Sequence, residues 1–234
     1  MHGEITMKCA IMQPTYLPWA GYFNLIKHVD KFVFLDDVQF ERRSWQTRNR
    51  ILLQGQEHTL TVPVIRHARS DLLKNISIDE MSGWRKSHWL TLGSAYQKTN
   101  YGHLLLGMLE PFYVSGSETS LSRLNELIIK RIATALSLNT IFYRASDLGC
   151  EGKRSAHLAK ICENINCSEY FSPEGSREYL LDDKFSETFG LKVDFQSFVP
   201  KPYIQYKGLE FVSHLSILDV IANHGIEYAK SYIS

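Results

Sequence analysis

Residues 8–37, KCAIMQPTYLPWAGYFNLIKHVDKFVFLDD, hold two short apolar runs, Lys8–Met12 and Lys31–Leu35, on either side of a segment with apolar residues at helical spacing. Short apolar runs bounded by turn residues predict buried strands, and the spacing between them predicts a helix. A strand, a helix and a strand in this order form a βαβ unit, whose strands pair in parallel through a right-handed crossover. This stretch therefore predicts an α/β fold.

The remainder of the chain extends this pattern. A strand at residues 58–65 is expected in the same sheet, at an edge because Pro63 lacks a backbone donor. Apolar spacing predicts an inserted helical layer with helices at residues 84–97, 101–114 and 121–138. A second βαβ unit follows, with strands at residues 140–143, 169–172 and 191–195, and a last helix at residues 215–223 is expected to stop at Gly225. Residues 1–234 thus predict a single three-layer, Rossmann-like α/β domain, with a mainly parallel sheet and a helical insertion at about 83–138.

The composition is that of a globular protein with a large core. Of its 234 residues 44% are apolar, and 26 basic against 25 acidic side chains leave a net charge of +1, which gives no reason to expect a nucleic acid partner. No apolar run reaches the roughly 20 residues of a membrane-spanning helix. Cysteines and histidines at irregular spacings predict reduced thiols in the cytoplasm and no metal site. Residues 1–6 are expected to form a loose extension, with either Met1 or Met7 as the natural start.

The loop after the first strand, at residues 13–23, combines two prolines and a glycine with aromatic residues. Prolines fix the backbone and glycine allows close approach, so the loop is stiff at a strand-to-helix junction, where α/β proteins collect ligands. The alternative is that its aromatic rings fill the core. The candidate substrate contacts in this loop are Gln13, Tyr16, Gly21 and Tyr22.

The densest polar segment follows the second strand, at residues 36–50, and contains carboxylates, four arginines and one tryptophan. Guanidinium groups match the geometry of phosphate and carboxylate, so the segment suits a phosphorylated or nucleotide-bearing ligand. A solvated face with acid–arginine pairs is the alternative. The candidate binding residues are Asp36, Gln39, Arg43, Trp45, Arg48, Asn49 and Arg50, and Asp37 is a candidate catalytic carboxylate.

Two later segments add candidate binding residues. Lys153 and Arg154 open a helix, whose unpaired amide groups favour an anion, although ordinary basic residues at a helix start would look the same. Glu174 and Gly175 follow the next strand, where a carboxylate could bind an amine or a hydroxyl.

Asp219 lies within an apolar helix, where an ionised carboxylate is costly unless it is paired. An arginine from residues 42–50 is the expected partner, and Asp219 is the second candidate catalytic carboxylate. The chain has no GxSxG, GxGxxG or HExxH motif, which argues against the common hydrolase and dehydrogenase classes.

Several of these segments resemble the WbqC-like protein family of bacteria. The shared pattern comprises Gln13-Pro14-x-Tyr16-x-Pro18-x-x-Gly21-Tyr22-Phe23, Asp30-Lys31-Phe32, Asp36-Asp37-Val38-Gln39, Arg43-x-Trp45, Arg48-Asn49-Arg50, residues 158–170, Gly175 and Leu215-Ser216-Ile217-Leu218-Asp219. The resemblance covers nearly the whole chain. It implies an association with gene clusters for O-antigen and other surface polysaccharides, whose members have been suggested to attach an amino acid such as glycine to a sugar.

A second similarity concerns only the order of elements, which looks like that of nucleotidylyltransferases and pantothenate synthetases. Those enzymes bind ATP through an HxGH signature at the place where Trp19 and Tyr22 stand here. Any ATP would therefore depend on the arginines and on Lys153 for its cationic contacts.

These features give one leading hypothesis and two alternatives. The leading hypothesis is an acyl- or aminoacyltransferase of the glycine type, which forms an amide on an amino sugar or nucleotide sugar in O-antigen biosynthesis. In it Arg43, Arg48 and Arg50 hold phosphates, and Asp37 or Asp219 positions the amine. The alternatives are an ATP-dependent amide ligase and a non-catalytic module that binds a sugar nucleotide through its aromatic residues. The expected small-molecule partners are the sugar, an amino acid or acyl donor, and ATP or a nucleotide-activated donor.

Overall fold

The computed structural model describes residues 6–234, which form two compact units of three chain segments each. The sheet unit comprises residues 6–13, 24–37 and 139–198, and the hairpin–helix unit comprises residues 14–23, 38–138 and 199–234. One domain with a helical insertion stays a prediction. The expected loose extension at residues 1–6 lies, apart from Thr6, outside the described residues.

Most of the expected elements are present. Within the described residues the strands are β1 (Lys8–Met12), β2 (Lys31–Phe34), β3 (Arg48–Leu53), β4 (Gln56–Thr61), β5 (Ile141–Arg144), β6 (Glu169–Ser172) and β7 (Lys192–Phe195). The helices there are α1 (Ala20–Lys27), α2 (Trp84–Tyr96), α3 (Gly102–Tyr113), α4 (Leu121–Ala135), α5 (Ala145–Leu148), α6 (Arg154–Asn164), α7 (Arg177–Asp182), α8 (Phe185–Phe189) and α9 (Ile217–Tyr232). No helix in this part of the chain is both long enough and apolar enough to cross a membrane.

The five strands of the sheet unit all run parallel, in the order β5-β2-β1-β6-β7. The central strand is β1, in which Cys9 pairs with Lys31 on one side and with Tyr170 on the other. The chain adds strands outward from β1 in one direction and then in the other, which is the doubly wound order. With its flanking helices this is the predicted α/β, three-layer Rossmann-like fold.

The core of the sheet unit fixes α6 against the sheet. Apolar residues at helical spacing, Leu158, Ile161 and Cys162, pack in one buried cluster with Cys9 and Ile11 of β1. A stripe spaced three and four residues apart covers one face of a helix, so α6 has a single way to lie on the strands. This packing fixes the first turn of α6.

The hairpin–helix unit contains a separate two-stranded antiparallel sheet of β3 and β4. The strand predicted at residues 58–65 is present as β4, but it belongs to this second sheet and not to the parallel one. Its predicted bounds were also wrong, since β4 ends at Thr61, before Pro63. Gln54 and Gly55 join the strands, both with positive φ (51° and 81°), as in the tight turns that match strand twist. The register, with Arg48 opposite Thr61, follows from this turn.

The predicted helices of the inserted layer are confirmed as α2, α3 and α4, but the expected stop of the last helix is wrong. Gly225 adopts φ 82° and ψ 177°, which kinks α9, and the helix then continues to Tyr232. A Cβ at this position would lie 2.9 Å from the ring of Tyr101, so both the backbone and the neighbouring ring require glycine.

Candidate functional site

Asp36 lies at the carboxyl end of the parallel sheet, where both of its carboxylate oxygens accept hydrogen bonds from Ser146. Its Oδ1 accepts from the backbone N–H of Ser146 at 2.9 Å, and its Oδ2 accepts from the Ser146 hydroxyl at 2.7 Å. Burial raises the pKa of Asp36, the Ser146 hydrogen bonds oppose this, and the charge of Asp37 adds to it. Arg144 Nε lies 3.7 Å from the same carboxylate. Asp36 therefore anchors the chain after β5.

Asp37, the next residue, forms a pair with a histidine that the sequence did not suggest. Its Oδ1 lies 3.1 Å from Nε2 of His157, in the first turn of α6. The side chains are 13% and 9% exposed. Nδ1 of His157 is buried and has no hydrogen-bond partner among the described residues. Because a carboxylate only accepts, Nε2 of His157 is the donor and carries a proton.

Among residues 6–234, no side chain caps the amide groups at the start of α6. Lys153 occupies the cap position without a side-chain hydrogen bond, and the Ser155 hydroxyl donates to Asp183 at 2.5 Å instead. Arg154 is 70% exposed, and its Nη2 lies 3.9 Å from Asp183. Uncapped amide groups and the positive end of a helix attract negative charge. His157 and these amide groups belong to the same helical turn.

The remaining candidates of the sheet unit contribute less. Gln13 directly follows β1 and is half-buried. Glu174 accepts two hydrogen bonds from Arg177, at 2.6 and 2.8 Å, and the Arg177 guanidinium lies over the Phe195 ring. The carboxylate of Glu174 is therefore already paired, and Gly175 lies beside it in a single 3₁₀ turn.

A hollow of about 940 Å³ lies at the opposite end of the strands, where Ser168 and Leu191 precede β6 and β7. Its charged lining includes Lys160 and Glu163, which pair with each other at 2.8 Å. None of the residues predicted from the sequence to bind substrate lines it. Since ligands of open α/β sheets collect at the carboxyl ends of strands, this hollow is the weaker candidate.

In the hairpin–helix unit the aromatic residues of the proline-rich loop fill the core. Tyr16 and Tyr22 are 0% and 1% exposed. The Tyr16 hydroxyl lies 2.8 Å from Nδ1 of His88 and 2.5 Å from the Tyr113 hydroxyl. Burial lowers the pKa of His88 to about 4, so its ring is neutral at neutral pH. The close approach at Gly21 is made by the ring of Trp19, which a Cβ would overlap.

Some residues of the arginine-rich segment have partners within the hairpin–helix unit, whereas others line an open groove. Arg50 pairs with Glu57 at 2.7 Å and lies over the half-exposed ring of Trp45. Asn49 is buried and donates to the carbonyl of Tyr16 at 3.0 Å. Gln39 donates to the backbone carbonyl of Arg69 at 2.8 Å. These residues support the loops of this unit.

Arg43 and Arg48 do line a common groove of about 610 Å³, which we call the arginine groove. Two further arginines line it, Arg42 and Arg66, together with His67. Arg66 and His67 were not predicted as binding residues, although the basic run from residue 66 to residue 69 could have indicated them. No aspartate or glutamate of the described residues lines the groove.

Asp219, the second predicted catalytic carboxylate, is 1% exposed in the hairpin–helix unit. The expected arginine partner is wrong: Oδ2 accepts from the Tyr203 hydroxyl at 2.9 Å and from Nε2 of Gln205 at 3.1 Å. Burial raises the pKa of Asp219 to about 6, and these hydrogen bonds limit the rise. Tyr203 and Gln205 thus supply hydrogen bonds to the Asp219 carboxylate without burying a second charged group.

Comparison with known proteins identifies a family and a relative of this chain. A sequence model of the WbqC-like protein family matches residues 13–231. The chain is 31% identical over 228 residues to the uncharacterized protein Rv1507c of Mycobacterium tuberculosis, an alignment that covers 97% of each chain. No solved structure matches the chain.

Proposed function

Because this chain belongs to the WbqC-like protein family, we propose that it is a cytoplasmic acyl- or aminoacyltransferase that forms an amide on an amino sugar or nucleotide sugar of a surface polysaccharide such as O-antigen. The observation that supports this chemistry is the Asp37–His157 pair beside the uncapped start of α6. Amide formation needs a base for the amine and hydrogen-bond donors for the developing oxyanion, and this part of the sheet unit has both.

The proposed reaction begins with the neutral amine of the sugar, whose nitrogen attacks the carbonyl carbon of an activated acyl group. A C–N bond forms, and the electron pair of the C=O bond moves to oxygen, where the amide groups at the start of α6 stabilise the charge. The Asp37 carboxylate takes the proton that the nitrogen loses. When the C=O bond reforms, the bond to the leaving group breaks, and the leaving group departs with its electron pair and that proton.

His157 acts on this reaction through Asp37 and is a positioning residue. Its Nε2–H holds Oδ1 of Asp37, while Oδ2 has no hydrogen-bond partner among the described residues. A carboxylate fixed by one oxygen presents the other in a defined direction, which favours proton transfer from a bound amine. Lys153 and Arg154 add positive charge near the same helix start, where the acyl carbonyl becomes negative.

The test is an amide-formation assay with the full chain, an activated glycyl donor and a set of amino sugars, free and nucleotide-linked. Mass spectrometry should detect a product heavier by one glycyl residue, and Asp37→Asn should abolish most of it. Asp147→Asn is the matched control, because Asp147 is an exposed carboxylate of the same unit that pairs with Arg144. Product formed equally by Asp37→Asn and by the unaltered protein would contradict the proposal.

One observation favours a second candidate, an ATP-dependent amide ligase that activates the carboxyl group itself. The strand order of the sheet unit reverses between β1 and β6, and doubly wound sheets bind nucleotides at such a point. With free glycine, an amino sugar and ATP, a ligase would release AMP and pyrophosphate. A transferase would leave ATP intact and require the activated donor.

A further inference from the structure

The arginine groove carries positive charge that the fold does not neutralise. Among residues 6–234, no ion pair is formed by Arg42, Arg43, Arg48 or Arg66. Other arginines of the same unit are paired, such as Arg85 with Glu80 at 2.8 Å. Like charges in one groove repel each other, so the groove is a place where an anion lowers the free energy.

The turn at residues 41–46 presents two of these arginines by its own hydrogen bonds. The Ser44 hydroxyl donates to the carbonyl of Glu41 at 2.8 Å, and the backbone N–H of Glu41 donates to Oε1 of Gln46 at 3.2 Å. Arg43 has a φ of 60°, a conformation that non-glycine residues adopt only when their surroundings impose it. The turn thus holds the backbone of Arg42 and Arg43 at the groove before any ligand binds.

His67 binds Nε of Arg42 and leaves the two terminal nitrogens of the guanidinium group available. Nε of Arg42 donates to Nε2 of His67 at 3.3 Å, and Nδ1 of His67 lies 2.9 Å from the carbonyl of Ala68. Nε2 of His67 therefore accepts from Arg42, and Nδ1 donates to the carbonyl of Ala68. Asp71 forms no ion pair with an arginine among the described residues, and its Oδ2 accepts from the N–H of Ala68 at 2.8 Å. The two terminal nitrogens of Arg42 have no partner among the described residues.

We propose that the arginine groove binds the diphosphate of a nucleoside diphosphate or its sugar ester. Guanidinium forks bind the paired oxygens of phosphate groups, and the hydroxyl of Thr47, which also lines the groove, adds a further polar group. Pro63, Val64 and Ile65 supply an apolar wall for a base or sugar. The volume of about 610 Å³ is that of a small-molecule site, and the net charge of +1 argues against a polyanionic chain.

The test is calorimetric titration of the full chain with uridine diphosphate, adenosine diphosphate, inorganic pyrophosphate and orthophosphate. A nucleoside diphosphate should bind most tightly and orthophosphate most weakly. Arg43→Ala and Arg48→Ala should each weaken nucleoside diphosphate binding about tenfold or more. Arg131→Ala is the matched control, since Arg131 is an exposed arginine of α4 that lies outside the groove and has no ion pair among the described residues.

Equal losses in Arg48→Ala and Arg131→Ala, or no binding of any of the four probes, would overturn the inference. Pyrophosphate binding as tightly as both nucleoside diphosphates would overturn the nucleoside assignment. Thermal unfolding of each variant checks folding, and Arg43→Ala, in an exposed turn, keeps the test decisive should Arg48→Ala fail to fold.

The inference rests on the proposed function only in taking the nucleotide as the carrier of the amino sugar. The titration contains no acyl donor, so Asp37→Asn should bind the nucleoside diphosphate as the unaltered protein does. Binding without amide formation would contradict the proposed function and support the groove. Amide formation together with equal nucleoside diphosphate binding by Arg48→Ala and by the unaltered protein would overturn the groove alone.

Discussion

Nε2 of His157 lies 3.1 Å from Oδ1 of Asp37, although 120 positions separate them in the sequence. The other ring nitrogen of His157 is buried without a partner. Leaving a buried polar atom unpaired costs about 1–3 kcal/mol, so a fold that keeps it calls for an explanation other than stability. Variants of Asp37 and His157 are therefore the most direct test of catalysis by the sheet unit.

We expect Asp37→Asn to lower kcat for amide formation by about 10²–10⁴-fold with little change in KM, because the asparagine side chain cannot accept the proton that the amine loses. The measurement is steady-state amide formation. An equal rise in KM at unchanged kcat would instead identify Asp37 as a substrate-binding residue.

The two variants His157→Gln and His157→Ala test positioning. Glutamine can still donate an N–H to Asp37, whereas alanine cannot, so we expect kcat to fall less in His157→Gln than in His157→Ala. Their pH–rate profiles should differ from that of the unaltered protein, which a purely structural role would not require. If both variants keep the kcat and the pH profile of the unaltered protein, His157 has no part in positioning the base.

Tyr16→Phe separates a core role from a ligand role. Removing the hydroxyl leaves His88 and Tyr113 without their shared partner, and we expect the free energy of unfolding to fall by about 1–3 kcal/mol. Urea unfolding measures this, with Tyr228→Phe as the control because Tyr228 is 40% exposed. Unchanged stability together with weakened ligand binding would support the alternative that Tyr16 contacts substrate.

The sequence predicts the parallel sheet well because its three central strands, β2, β1 and β6, are largely buried. Ala10 and Val33 lie in apolar runs that few structures other than a buried strand would accept. In the hairpin, β4 was predicted as a strand but β3 was missed, because Arg48 and Arg50 make β3 resemble a polar loop. Gln54–Gly55 indicates a turn only when the glutamine adopts a positive φ. Local composition therefore identifies strands with apolar residues and misses a strand such as β3, whose exposed positions carry arginines.

The candidate site was harder to predict because its partners are distant in sequence. Asp37 stood out beside a strand end, but nothing near His157 indicates that α6 brings it to that carboxylate. Asp219 was expected to meet an arginine, and the fold supplies Tyr203 and Gln205 instead. Spacing reveals partners within one element, whereas these contacts depend on how elements pack.

Two glycine variants test the kink in α9. Alanine at Gly225 would need φ 82° and ψ 177°, and its Cβ would meet the ring of Tyr101, so we expect Gly225→Ala to lower the free energy of unfolding by about 1–3 kcal/mol. Gly93 lies inside α2 with nothing within 4 Å of a built Cβ, so Gly93→Ala should raise it by about 0.5–1 kcal/mol. Urea unfolding of both variants gives the comparison, and effects of the same sign would contradict it.

The buried carboxylate of Asp219 makes stability depend on pH in a predictable direction. Burial raises its pKa from 3.8 to about 6, so the folded protein binds this proton more tightly than the unfolded chain does. The contribution of Asp219 to stability is therefore present below about pH 4, falls as pH rises to about 6, and then stays lower by about 3 kcal/mol. Asp219→Asn removes this titration while its side-chain oxygen can still accept from Tyr203 and Gln205.

The measurement is urea unfolding of the unaltered protein and of Asp219→Asn at about pH 4.5 and about pH 7.5. Other groups also titrate in this range, but their contributions cancel when the two proteins are compared at each pH. The stability of Asp219→Asn relative to the unaltered protein should therefore rise with pH. If it is constant, the pKa of Asp219 is the same in the folded and unfolded chains; if it falls, the carboxylate is stabilised as an anion, and a charged partner for Asp219 must be sought.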